Sequence, residues 1–106
     1  MPQVTDAATA LLQALSGHFA HFAGFALEEI RTRCWASVTF RGARHELAFQ
    51  LAGEGAEKLA ARFLSSLQAR DFTLRGHLLA DVTLVAEERR PGWARIRLEA
   101  LTVEEG

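Results

Sequence analysis

One order of elements, a helix followed by two strands, is legible twice along this 106-residue chain, and that repetition constrains the fold more than any motif does. The apolar anchors of the two halves correspond in pattern. Leu11, Leu12 and Leu15 match Phe63, Leu64 and Leu67; Phe25 and Leu27 match Phe72 and Leu74; Leu47 and Phe49 match Ile96 and Leu98. A unit that cannot bury its own apolar face gains by pairing with a copy, so residues 1–106 are expected to form a single α+β domain rather than two. At this length the chain can bury roughly two-thirds of its unfolded surface around one core.

Ala8, Leu11, Leu12, Leu15, Phe19 and Phe22 recur at helical spacing after Thr5 and Asp6, which predicts a first helix over 6–23, with Ser16 and Gly17 as an earlier breaking point. From 28 to 41 the chain alternates, with Ile30, Thr32, Cys34, Ala36, Val38 and Phe40 on the inward side. The next inward set is His45, Leu47, Phe49 and Leu51, and a two-residue turn at Gly42 and Ala43 absorbs the change of parity. That turn sets Phe40 opposite His45. A second helix is predicted over 55–70, with Leu59, Phe63, Leu64 and Leu67 on its buried stripe. The third strand carries Phe72, Leu74, Leu78, Ala80, Val82, Leu84 and Ala86 inward, with a bend expected near Gly76. Ile96, Leu98 and Ala100 face inward on the last strand, and a three-residue loop over 90–92 pairs Glu87 with Arg95 and Arg89 with Trp93. The expected architecture is two αββ repeats forming a four-stranded antiparallel sheet with two helices on one face. Topologically this is a circular permutation of the ferredoxin-like βαββαβ order, a permuted ferredoxin-like sandwich.

Composition narrows the function classes. A net charge of −1 supplies no positive field to recruit phosphate backbones or anionic lipid, which argues against nucleic-acid and membrane partners. The longest apolar stretch, 19–27, is interrupted by His21 and is too short to span a bilayer. One cysteine, Cys34, cannot close an intrachain disulfide, and the N-terminus lacks the pattern of a secretion signal; a cytoplasmic location is expected.

Chemistry-bearing residues are scattered. His18 and His21 lie three apart on a helix but lack further ligands at motif spacing, so no metal and no cofactor is expected. Cys34 reads as a small core residue and His45 as a hydrogen-bonded histidine at the core rim. Arg75, His77 and Asp81 are placed together on the outward face of the third strand, a candidate polar site. Four residues of strand separate His77 from Asp81 by about 13 Å, too far for a direct dyad.

The clearest functional signal is apolar. Trp35, Leu79, Val85, Leu101 and Val103 fall on outward parity, Leu79 opposite Val103 and Leu101 opposite Asp81, forming a strip on the sheet face away from the helices. A bulge after Ala100 that turns Leu101 and Val103 inward is the competing reading. The expected function is an intracellular binding or interaction module that forms a homodimer through its open sheet face, a reading that leans away from catalysis without settling it. Arg31, Arg33, Arg95 and Arg97 would set orientation at the rim. The alternative is a small enzyme or apolar-ligand binder with its cleft at the dimer junction, drawing on His77, Asp81 or Arg75.

Overall fold

Asp6 starts the first helix in the manner its sequence position implies: its Oδ1 accepts from the backbone N–H of Thr9 at 2.8 Å. The computed structural model of the protein describes residues 6–68 and 72–105. Helix α1 runs Ala7–His18 and buries Ala10, Leu11 and Leu15. It stops short of residue 23 because the backbone tightens at Gly17, whose carbonyl accepts from Ala20 at 3.3 Å, leaving Phe19 as the last buried residue of that face. Helix α2 runs Ala56–Ser65, entered through Gly55 in the left-handed region at φ 82°. It ends before the predicted boundary of 70, and Ala69 and Arg70 lie outside the described residues.

Four strands follow the expected order: β1 Phe25–Ala36, β2 Arg41–Ala52, β3 His77–Arg90 and β4 Trp93–Glu104. They form one antiparallel sheet in the order β1-β2-β4-β3, so the two hairpins meet through β2 and β4. The inward sets of the central strands are those read from alternation. Leu47, Phe49 and Leu51 on β2 and Ile96, Leu98 and Ala100 on β4 are buried, packed with residues of both helices in one apolar cluster. Phe19, Phe25, Phe49 and Phe63 meet at its centre, with ring centroids 5.0–6.0 Å apart.

Three register expectations are corrected. The first hairpin turns at 37–40, with Ala36 opposite Arg41, so His45 faces Thr32 and not Phe40. Ser37 makes this turn: its Oγ accepts from Phe40 N at 3.0 Å and Thr39 N at 3.4 Å, and its N–H donates to Phe40 O at 2.7 Å. A four-residue loop changes parity as a two-residue one does, which is why the alternation was right and the turn was not. Val38 and Phe40, expected in the core, stand in solvent at the tip. Gly42 sits within the strand because a Cβ there would meet Trp35 Cζ2 at 2.5 Å and Thr102 O at 2.1 Å.

The second hairpin turns at Pro91–Gly92, two residues, with Arg90 opposite Trp93 and Glu88 opposite Arg95. Gly92 takes φ 74°, and its N–H donates to Glu57 Oε2 at 2.7 Å, so the first turn of α2 pins the loop. The parity that seemed to demand a third loop residue is supplied by bulges in β3, between Leu79 and Asp81 and between Leu84 and Ala86. The expected charge pair and cation–π contact exist one position along: Arg95 lies 3.8 Å from Glu88, and Arg90 and Arg95 stack over Trp93 at 5.1 and 5.4 Å.

The bulge at Leu79/Asp81 also reverses part of the predicted apolar strip. Leu79 pairs with Thr102, faces inward and is 5% exposed, whereas Leu78 turns outward opposite Val103 and is 56% exposed. Ala86 likewise faces out, opposite Arg97.

Candidate functional site

Alternation in β1, β2 and β4 sends every second side chain to the face that carries no helix, and the pairing registers arrange those residues in rows across the four strands. The row nearest the first hairpin turn is Trp35, Gly42, Val103 and Leu78. The next is Arg33, Arg44, Leu101 and Asp81, and behind it lie Arg31, Glu46, Glu99 and Thr83. Leu101 and Val103 therefore stay outward, half-buried by their neighbours, and no bulge follows Ala100. Trp35 lies flat over Gly42, and its Nε1 is buried without a hydrogen-bond partner among the described residues. Arg33, Trp35, Arg44 and Leu101 frame a depression of about 280 Å³.

Charge on this face is largely self-compensated. Arg95 grips Glu28 with two hydrogen bonds of 2.9 and 3.0 Å, Arg97 reaches Glu29 at 3.4 Å, Arg31 reaches the same carboxylate at 2.6 Å, and Arg44 pairs with Glu99. Of the four arginines assigned to the rim, Arg33 alone makes no ion pair among the described residues. It faces Arg44, a like charge directly across the ladder, which is unfavourable in isolation. At the far end of the same row Asp81 accepts, among the described residues, from Thr83 Oγ1 at 3.2 Å. Val85 is exposed at the second β3 bulge, separated from the apolar row by Thr83.

The candidate polar trio is not brought together. His77 turns inward and is buried, Asp81 faces out, and Arg75 is exposed in a turn that precedes β3. The bulge that inverts Leu78 and Leu79 separates His77 from Asp81 as well. His18 packs its ring edge-on against Phe19 and Phe63 at 5.0 Å each, while His21 is exposed beyond the helix.

On the helix side of the sheet, a cavity of about 500 Å³ opens between the first turn of α1 and the ends of the strands. Its lining includes Asp6, Thr32, Cys34, His77, Thr102 and Glu104, and Cys34, expected in the core, is an exposed free thiol there. Sequence reading missed this feature because its walls come from five separate segments. Beside it, His45 is fully buried between two threonines. Thr102 Oγ1 donates to Ala43 O at 3.3 Å and so accepts from His45 Nε2–H at 2.9 Å, leaving Nδ1 to accept from Thr32 Oγ1 at 2.9 Å. The neutral ring satisfies both hydroxyls in this way, and burial favours it over the charged form.

Burial is the main cause that holds the His45 pKa below the ordinary 6.5; the charge of His77 adds to it and Asp6 opposes. A folded-state value below the unfolded one means that the unfolded chain binds the extra proton, so the His45 contribution is complete above about pH 6.5 and declines as pH falls toward the folded pKa. Urea midpoints measured at pH 7.5 and 5.5 are expected to drop on acidification, and the His45→Gln variant to lose that part of the drop.

No family model and no curated protein matches the chain. Among solved structures, a chain from the virion of a native gene transfer agent particle is similar, with a TM-score of 0.52 and 22% identity over 79% of this chain and 71% of that one. At that identity the likeness is one of fold. No helix among the described residues is long and apolar enough to cross a membrane.

Proposed function

We propose that the chain is a protein–protein interaction module that pairs with a second copy of itself through the open sheet face, within a larger protein assembly. The observation that carries this reading is the row Arg33, Arg44, Leu101, Asp81. A second copy laid face to face, related by a two-fold axis along the strands, meets this row reversed. Arg33 of each copy then lies over Asp81 of the other, and these two groups, neither of which has an ion pair among the described residues, satisfy one another twice. The row on the hairpin-turn side reverses as well, setting Trp35 over Leu78 and the hollow at Gly42 over Val103, while the row on the other side sets Glu46 over Glu99, whose charge Arg44 of its own chain already balances. Aligned sheets pack about 10 Å apart with strands within roughly 30°, so this match needs no rearrangement of the backbone. The gene transfer agent particle is itself a many-protein assembly, which supports a structural rather than catalytic role. The separation of His77 from Asp81 weighs against the alternative of an enzyme with its cleft at the dimer junction. An intracellular, cytoplasmic setting accords with the free thiol of Cys34. We also read the order β1-β2-β4-β3 with its two αββ units as the permuted ferredoxin-like arrangement.

Sedimentation velocity at micromolar concentration tests the reading. The wild type is expected to sediment as a dimer and Leu101→Asp as a folded monomer, since a carboxylate placed in the contact must be desolvated at a cost of about 2 kcal/mol or more. A wild-type monomer, or a dimer indifferent to Leu101→Asp, removes the reading.

A further inference from the structure

The cavity beside α1 is the other feature that packing alone does not explain. Both hairpins run past the start of the helix, so inward-facing Thr32 and Cys34 on β1 have no helix above them and remain exposed. The walls are small side chains, with Ala7 and Ala8 on one side and Gly42, Ala43 and the Thr102 methyl on the other. Large residues there would have closed the gap. At about 500 Å³ the space is within the range of small-molecule and side-chain pockets.

Its charge is one-sided. Asp6 and Glu104 line it, no lysine or arginine among the described residues does, and His77 in its wall is buried. A helix N-terminus ordinarily favours an anion, but here the Asp6 carboxylate already accepts from Thr9 N–H, and hydrogen bonding to that backbone keeps Asp6 ionised by lowering its pKa. An incoming anion would meet a carboxylate. An alkyl stem lies well against alanine and threonine methyls, and a cationic head suits the mouth. We infer that this cavity is a binding site for a primary ammonium or guanidinium group on a short aliphatic stem, whether the end of a lysine or arginine side chain of a protein partner or a free alkylamine. It is distinct from the sheet-face contact and lies on the opposite side of the sheet.

Cys34 supplies a native reporter, because an occupant covers its thiol. The rate of its modification by 2,2′-dithiodipyridine, a neutral reagent inert to amines, is to be measured with n-butylamine, n-butylguanidinium, n-butanol and butyrate, alongside amide NMR shifts of Ala8, Ala43 and Thr102. Both cations are expected to slow modification about fivefold near saturation and to move these resonances, and butyrate to do neither. Asp6→Asn, which keeps the helix cap, and Glu104→Gln, at an exposed strand end, are each expected to weaken protection about threefold or more while leaving the thermal midpoint near that of wild type. An N-acetyl-lysine or N-acetyl-arginine amide protecting at far lower concentration than the free amine assigns the site to a partner side chain; equal potency assigns it to free amines. Protection by butanol or butyrate equal to that by the cations, or no effect of either cation on both readouts, overturns the inference.

Discussion

Phe49→Ala is expected to cost about 3–5 kcal/mol, the largest loss available from a single truncation in this chain. The ring is 0% exposed, and the rings of Phe19, Phe25 and Phe63 meet it at 5.4–6.0 Å, so the deletion leaves a cavity bounded by side chains from the C-cap of α1, from β1 and from α2 that cannot all close on it. Domains of this size are stable by only about 5–15 kcal/mol, and the thermal midpoint should fall by roughly 15–30 °C. Phe40→Ala provides the contrast. Alternation alone assigns Phe40 to the same core, but the ring is 57% exposed at the hairpin tip, and its removal should change stability by about 0.5 kcal/mol or less. Differential scanning calorimetry of the two variants separates them; equal losses would mean that the first hairpin turns at Gly42 after all.

The second large effect concerns association. Arg33→Asp and Asp81→Arg each place like charges at both two-fold-related contacts and are expected to raise the dimer dissociation constant about 30-fold or more. Two recoveries follow from the proposed geometry. The double variant Arg33→Asp/Asp81→Arg should dimerise within about threefold of wild type, because the swapped charges meet again. A mixture of the two single variants should form a heterodimer, since Asp at 33 of one chain meets Arg at 81 of the other while Arg33 of the second meets Asp81 of the first. Sedimentation equilibrium measures all four cases. Both substitutions are at exposed positions, so the monomers should remain folded. If neither the double variant nor the mixture recovers, the rows do not face each other in reverse.

Strict alternation made β2 and β4 legible from sequence. These central strands face one core across an unbroken ladder, so His45, Leu47, Phe49 and Leu51, with Ile96, Leu98 and Ala100, could only point one way. Asp6 likewise announced the start of α1. The outer strands were less legible because a bulge inserts one residue and inverts everything beyond it, and Leu78 and Leu79 are equally apolar, so composition does not reveal which one turns in. Trp35, Leu101 and Val103 were found on the open face because they lie on uninterrupted stretches; Leu79 and His77 were misplaced because they precede the bulge. The turn of the first hairpin depended on the hydroxyl of Ser37, a local hydrogen-bonding competitor to the glycine that seemed the natural choice. The inner cavity had no motif to betray it, being an absence of bulk where five segments converge.

The bulges have a consequence for growth of the sheet itself. All three fall on β1 and β3, at Leu27/Glu29, Leu79/Asp81 and Leu84/Ala86, and none interrupts β2 against β4. Strands of 12 and 14 residues left flat at the two margins would be templates for endless lateral addition of further chains. Each kink throws the free amide and carbonyl groups out of step, so a newcomer cannot zip along the margin. Ribbon-like polymerisation is thereby discouraged, which leaves the broad face as the route by which the proposed dimer would form.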